Sequence, residues 1–169
     1  MLIWGTANPE GCDGSTYNGL FLTERDIDEV VNSNSMQGLP LKVEHKGIAI
    51  GKVITAWKNQ GKLDLLCEVD KNVMEGDIAS RFVHGGITGD FSLGYSVEMA
   101  FSDGSYRPTR KLFKEVSLVR KGARDKCHIH AYTFPEEDNL KEKVRSALAR
   151  HAPPSKAWAA FLGQRTPRG

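Results

Sequence analysis

Phe113-Lys114-Glu115-Val116-Ser117-Leu118-Val119 has the apolar alternation of a buried β-strand, yet it carries a carboxylate in its middle. A charge in such a strand costs several kcal/mol unless it is paired or hydrogen-bonded, so Glu115 must have a partner. Two other apolar stretches are interrupted in the same way. Leu39-Pro40-Leu41-Lys42-Val43-Glu44-His45 carries His45, and Phe91-Ser92-Leu93-Gly94-Tyr95-Ser96-Val97 carries Ser92. Serine, histidine and an acid are the parts of an activated nucleophile: one attacks, one takes its proton, one orients the base. Alternation puts Ser92 and Ser96 on one strand face and Glu115 and Ser117 on another, so periodicity alone does not select the serine. Glu44 is a rival acid, but next to His45 in a strand it points to the opposite face.

Working outward, alternation and β-branched content predict strands at about 2–7, 17–22, 39–45, 48–58, 62–69, 91–101, 112–120 and 127–134. Asn59-Gln60-Gly61 reads as a tight hairpin turn and Asp103-Gly104 as another, with Pro108 delaying the strand that follows. Thr23-Glu24-Arg25-Asp26 caps a helix running to about residue 32, with Ile27, Val30 and Val31 on its buried face. A second helix is expected over 73–84, ending at Gly85-Gly86. A third, 138–151, buries Leu140, Val144, Ala147 and Leu148 and stops at Pro153-Pro154; a last short one covers 155–161. Strands outnumber helices and recur at short spacing, which favours a mainly β protein, a β-barrel or sandwich with helices around it. One domain is expected over 1–162, with 163–169 a disordered tail.

The chain of 169 residues suits one domain with a real core. Its formal charge of +2 is too near neutral to argue for nucleic acid, and the basic bias is confined to 121–126 and the tail from Arg165. No apolar run approaches the roughly 18 residues of a membrane span. Met1-Leu2-Ile3-Trp4-Gly5 does not begin a secretory signal. Cys12, Cys67 and Cys127 are odd in number and far apart, as expected of free thiols in a reducing, intracellular compartment.

Three segments resemble the herpesvirus capsid-maturation protease (assemblin) and the related prohead proteases of tailed phages. Leu39 to His45, followed by Ile50-Gly51-Lys52-Val53, resembles the strand of the family's catalytic histidine. Phe91-Ser92-Leu93-Gly94-Tyr95-Ser96 resembles the nucleophile strand, and it is this resemblance that selects Ser92. Phe113 to Val119, with Gly122-Ala123-Arg124 after it, resembles the strand and turn of the third triad member and the oxyanion hole. Gly19-Leu20-Phe21-Leu22 and residues 26–31 match the family's first strand and helix less specifically. The likeness covers about 17–134, with the order histidine, serine, third member kept.

The departures are informative. The herpesvirus third member is a second histidine; here it is Glu115, as in the phage enzymes, which use an acid. The herpesvirus paired arginines become Ala123-Arg124, whose first member acts in the family through its backbone N–H and whose second acts through its side chain. The region after Phe134 is shorter than the herpesvirus one, whose later helices form a dimer interface.

The resemblance implies a viral serine endopeptidase with Ser92 as nucleophile, His45 as general base, Glu115 as its orienting acid, and Ala123 and Arg124 receiving the oxyanion. It implies cleavage after small residues, typically alanine, in the capsid scaffolding protein and in the enzyme's own precursor. It also implies a homodimer and a place in the assembling procapsid of an infected cell, the nucleus if herpesvirus-like. No cofactor, metal, membrane or specific nucleic acid is called for.

Blander readings apply elsewhere. His84 and His151 sit at expected helix C-termini, where the helix dipole explains them. Cys127-His128-x-His130 supplies one cluster only, which alternation splits, so zinc is not expected. Trp158 and Phe161 form a docking face. From other classes come a non-catalytic capsid or scaffold-interaction domain of the same fold, and a nucleic-acid-binding barrel, which lacks an aromatic stacking platform.

Overall fold

The computed structural model describes residues 1–9, 22–124 and 126–133. Along them run β1 (Leu2–Asn8), α1 (Glu24–Ser33), β2 (Pro40–Val43), β3 (Lys46–Asn59), β4 (Lys62–Val69), α2 (Met74–His84), β5 (Asp90–Ser102), β6 (Ser105–Val119) and β7 (Ile129–Thr133). The expected helices 138–151 and 155–161 and the tail lie outside the described residues. Of the expected strand 17–22 only Leu22 lies inside them, buried and in no strand.

The strands form one sheet in the order β5-β6-β2-β3-β4-β1-β7. Neighbours are antiparallel except β2 and β6, which run parallel, with Leu41 beside Val116 and Val43 beside Leu118. The two edge strands meet at a single bridge, Asp90 with His128. There the Phe91 N–H donates to the Cys127 carbonyl at 2.8 Å and the Ile129 N–H to that of Gly89 at 2.8 Å. Among the described residues the pairing is that of an open sheet whose ends touch once, so these strands do not close the expected barrel.

Three two-residue turns have positive φ at both central positions, the mark of a type I′ hairpin. Gln60-Gly61 (φ 50° and 78°) and Asp103-Gly104 (55° and 77°) stand where the sequence put turns. The third, Glu44-His45 (49° and 59°), contradicts the expected strand over 39–45, which stops at Val43. β6 begins at Ser105, not near 112, because Pro108 is absorbed at a register shift opposite Met99.

Phe91, Ile3, Leu41, Ile50, Leu65 and Leu118 are among the fully buried side chains of the core. Each such burial contributes roughly 1.5–3 kcal/mol. α1 lays Ile27 and Val30 on that core, Val31 only in part. Thr23 and Asp26 close its first turn as a reciprocal capping box. α2 turns its small residues, Gly76, Ala79 and Ser80, inward with Val83.

Candidate active site

Parallel pairing of β2 with β6, and antiparallel pairing of β5 with β6 on the other side, brings three distant segments to one place. His45 Nδ1 lies 2.5 Å from Glu115 Oε1, and His45 Nε2 lies 2.8 Å from Ser92 Oγ. A carboxylate only accepts, so Nδ1 carries the proton and Nε2 is left to accept from the serine hydroxyl. That is the tautomer a general base needs. Ser92 and Glu115 are buried, at 7% and 9% exposed, while the His45 side chain is 42% exposed and faces outward from them.

His45 is presented by the turn rather than by a strand. A non-glycine residue in the left-handed region costs about 1–2 kcal/mol, and this turn has two. The bonds to β6 and its end offset that cost. Glu44 N–H donates to the Leu118 carbonyl at 3.0 Å, and Glu44 Oε1 accepts the Arg120 N–H at 2.9 Å. The His45 N–H donates to Ser117 Oγ at 3.0 Å, and that hydroxyl donates to Glu115 Oε2 at 2.7 Å. One serine thus ties the imidazole's backbone to the carboxylate that faces its ring. Strain held in this way is typical of functional positions.

Gly94 makes room for the acid. A Cβ there would lie 2.0 Å from Glu115 Oε1, so only glycine lets the carboxylate cross β5. Beside it the register shifts between Gly94 and Tyr95, leaving Lys114 of β6 without a residue opposite it on β5. Ser96 is exposed, unlike Ser92, and Ser117 is fully buried as a link rather than as a free hydroxyl.

The turn after β6 lies along the strand of Ser92. Gly122 N–H donates to Asp90 Oδ2 at 2.7 Å. The guanidinium of Arg124, 5% exposed, donates from Nη2 to the Tyr95 hydroxyl at 2.7 Å and lies 5.6 Å from the centre of that ring. Its Nε is buried without a hydrogen-bond partner among the described residues. Ala123 is exposed on the turn.

The residues of the cysteine–histidine cluster go separate ways. Cys127 Sγ donates to the Ala7 carbonyl, His128 Nδ1 pairs with Asp90, and His130 Nε2 meets Thr6 Oγ1 at 2.8 Å. Asp64, fully buried, accepts from Thr6, Trp4 and Asn59 in a polar knot of its own. Sequence reasoning missed Asp90 and the parts played by Gly94 and Ser117. An acid two residues before Ser92 was visible, but nothing local pairs it with a glycine 32 positions on.

No family model matches the chain, and no curated protein does. Solved structures do. Kaposi's sarcoma-associated herpesvirus protease with a hexapeptide phosphonate inhibitor superposes at a TM-score of 0.58 and 16% identity, over 96% of this chain and 75% of that one. The same virus's protease with an allosteric inhibitor gives 0.52 at 17% identity, over 97% and 90%. In complex with a dimer disruptor it gives 0.52 at 17%, over 96% and 87%. The likeness is one of fold.

Proposed function

We propose that this chain, built on the herpesvirus-protease-like fold, is a serine endopeptidase of capsid maturation. Ser92 Oγ attacks the scissile carbonyl as its proton passes to His45 Nε2, and the same nitrogen returns the proton to the leaving amine. Glu115 holds the imidazole by Nδ1–H and stabilises the imidazolium. Ala123 supplies a backbone N–H to the oxyanion, and Arg124 its unpartnered Nε–H, directly or through a water. Water then attacks the acyl-serine with His45 again as base. The substrates are the internal scaffolding protein and the enzyme's own precursor, cut after a small residue, typically alanine.

One observation carries this reading: a buried serine, an outward-facing histidine and a buried carboxylate in one hydrogen-bonded line of 2.8 and 2.5 Å, with the tautomer a base requires. A fluorophosphonate tests it. Mass spectrometry of the labelled chain should place the phosphonyl group on Ser92 and find none in Ser92→Ala. Label on Ser96 misassigns the nucleophile, and an unlabelled wild type favours the non-catalytic scaffold-binding domain.

A further inference from the structure

Asp90 stands two residues before Ser92, and its side chain bridges three segments. One carboxylate oxygen accepts the Gly122 N–H at 2.7 Å, and the other accepts from His128 Nδ1 at 2.7 Å. The carboxylate is mostly buried, with its side chain 13% exposed, whereas that of His128 is 61% exposed. The backbone repeats the connection, since Phe91 N–H donates to the Cys127 carbonyl. Three residues beyond Ser92, Tyr95 holds Arg124. Residues 122–124 are therefore tied to the strand of Ser92 on both sides of that serine. A buried carboxylate accepting a backbone N–H makes one of the stronger hydrogen bonds a turn can have. The turn runs close against that strand at Gly122, where a Cβ would lie 3.0 Å from the Phe91 carbonyl oxygen.

We infer that Asp90 is a positioning residue for the reaction: through the Gly122 N–H it holds the turn 122–124 where Ala123 and Arg124 can meet the oxyanion formed at Ser92. This rests on the reading of that turn as the oxyanion site. Asp90 touches no reacting atom, so its removal acts through turn geometry. A misplacement of about 1 Å in such a site costs on the order of 10²-fold in rate.

The test uses the full chain and two readouts, the rate of Ser92 phosphonylation by a fluorophosphonate and the hydrogen exchange of the Gly122 amide by NMR. In wild type the Gly122 amide should be protected. In Asp90→Ala its exchange should accelerate while Phe91 and Leu118 in the core stay protected, and labelling should fall on the order of 10²-fold. Asp90→Asn keeps an acceptor oxygen for Gly122 and should retain labelling within roughly tenfold of wild type. Labelling of Asp90→Ala within about twofold of wild type would overturn the assignment, since a mispositioned oxyanion turn cannot leave the rate intact. An unprotected Gly122 amide in wild type would also overturn it, and this outcome does not depend on whether the alanine variant folds. A wild type that never labels would instead refute the proteolytic reading, and the exchange of Gly122 would still decide whether Asp90 holds the turn.

Discussion

At the residue scale, two changes separate chemistry from packing. Ser92→Ala removes one hydroxyl from a buried position and leaves the core intact, so the urea midpoint should barely move. Loss of the nucleophile in a comparable triad costs on the order of 10⁴–10⁶ in kcat. Scaffold processing followed by mass spectrometry checks it, with Ser96→Ala as the control expected to stay active. Gly94→Ala should do the reverse. Its methyl would occupy the place of Glu115 Oε1, so either β5 or the carboxylate must shift. We expect a loss of about 1–3 kcal/mol in stability, as for other overpacked sites. A fall in labelling of Ser92 should accompany it, because the imidazole loses its orienting partner. An active, undisturbed Gly94→Ala protein would mean that Glu115 can serve from another rotamer.

At the element scale, α1 is pinned to β6 by Lys111 and Asp26, whose Nζ and Oδ2 are 2.7 Å apart with both side chains mostly buried. Burial pushes the Asp26 carboxyl up, but hydrogen bonds from Lys111 and from the Thr23 N–H and hydroxyl, with the charge of Lys111, outweigh it. The net result lies below the ordinary 3.8. A carboxyl lowered on folding contributes stability that is present above its unfolded value and is lost as pH falls through the lower folded one. Lys111→Met should therefore destabilise by about 1–2 kcal/mol at neutral pH, between an exposed pair and a fully buried one. The gap between variant and wild type should shrink below about pH 3.8, where the unfolded Asp26 is protonated. Urea melts at neutral pH and near pH 3 measure it, and a gap independent of pH would assign the effect to the packing of the lysine stem.

At the scale of the whole molecule, the question is whether the turn 122–124 needs a second copy of the chain. The fold is that of proteases one of which is solved with a dimer disruptor. Here Asp90 and Tyr95 hold the turn from the strand of Ser92 itself. Specific activity measured beside sedimentation should therefore stay constant across a dilution series, even where any dimer dissociates. A fall in activity that tracks the loss of dimer would show that these two anchors do not suffice.

What the sequence determined by itself was local. The capping box at Thr23 and the turns at Gln60-Gly61 and Asp103-Gly104 follow from side chains and glycines within four residues of one another, and each is found where expected. The apolar runs of the core strands were equally legible, and so was the oddity of Ser92, His45 and Glu115 within them. What only the tertiary structure decided depends on partners far along the chain. The 39–45 segment ends in a strained turn because β6, about 70 positions away, supplies the hydrogen bonds that hold Glu44 and His45 there. That the described strands form an open sheet whose ends meet at one bridge is likewise a matter of edge pairing, which alternation does not encode. Ser92 rather than Ser96 meets the imidazole because Ser92 stands opposite Ser117, whose hydroxyl takes the His45 N–H, whereas Ser96 stands opposite Leu112. Hydrogen bonds across a sheet are set by which strands meet and in what register, and that is decided by the packing of the whole chain.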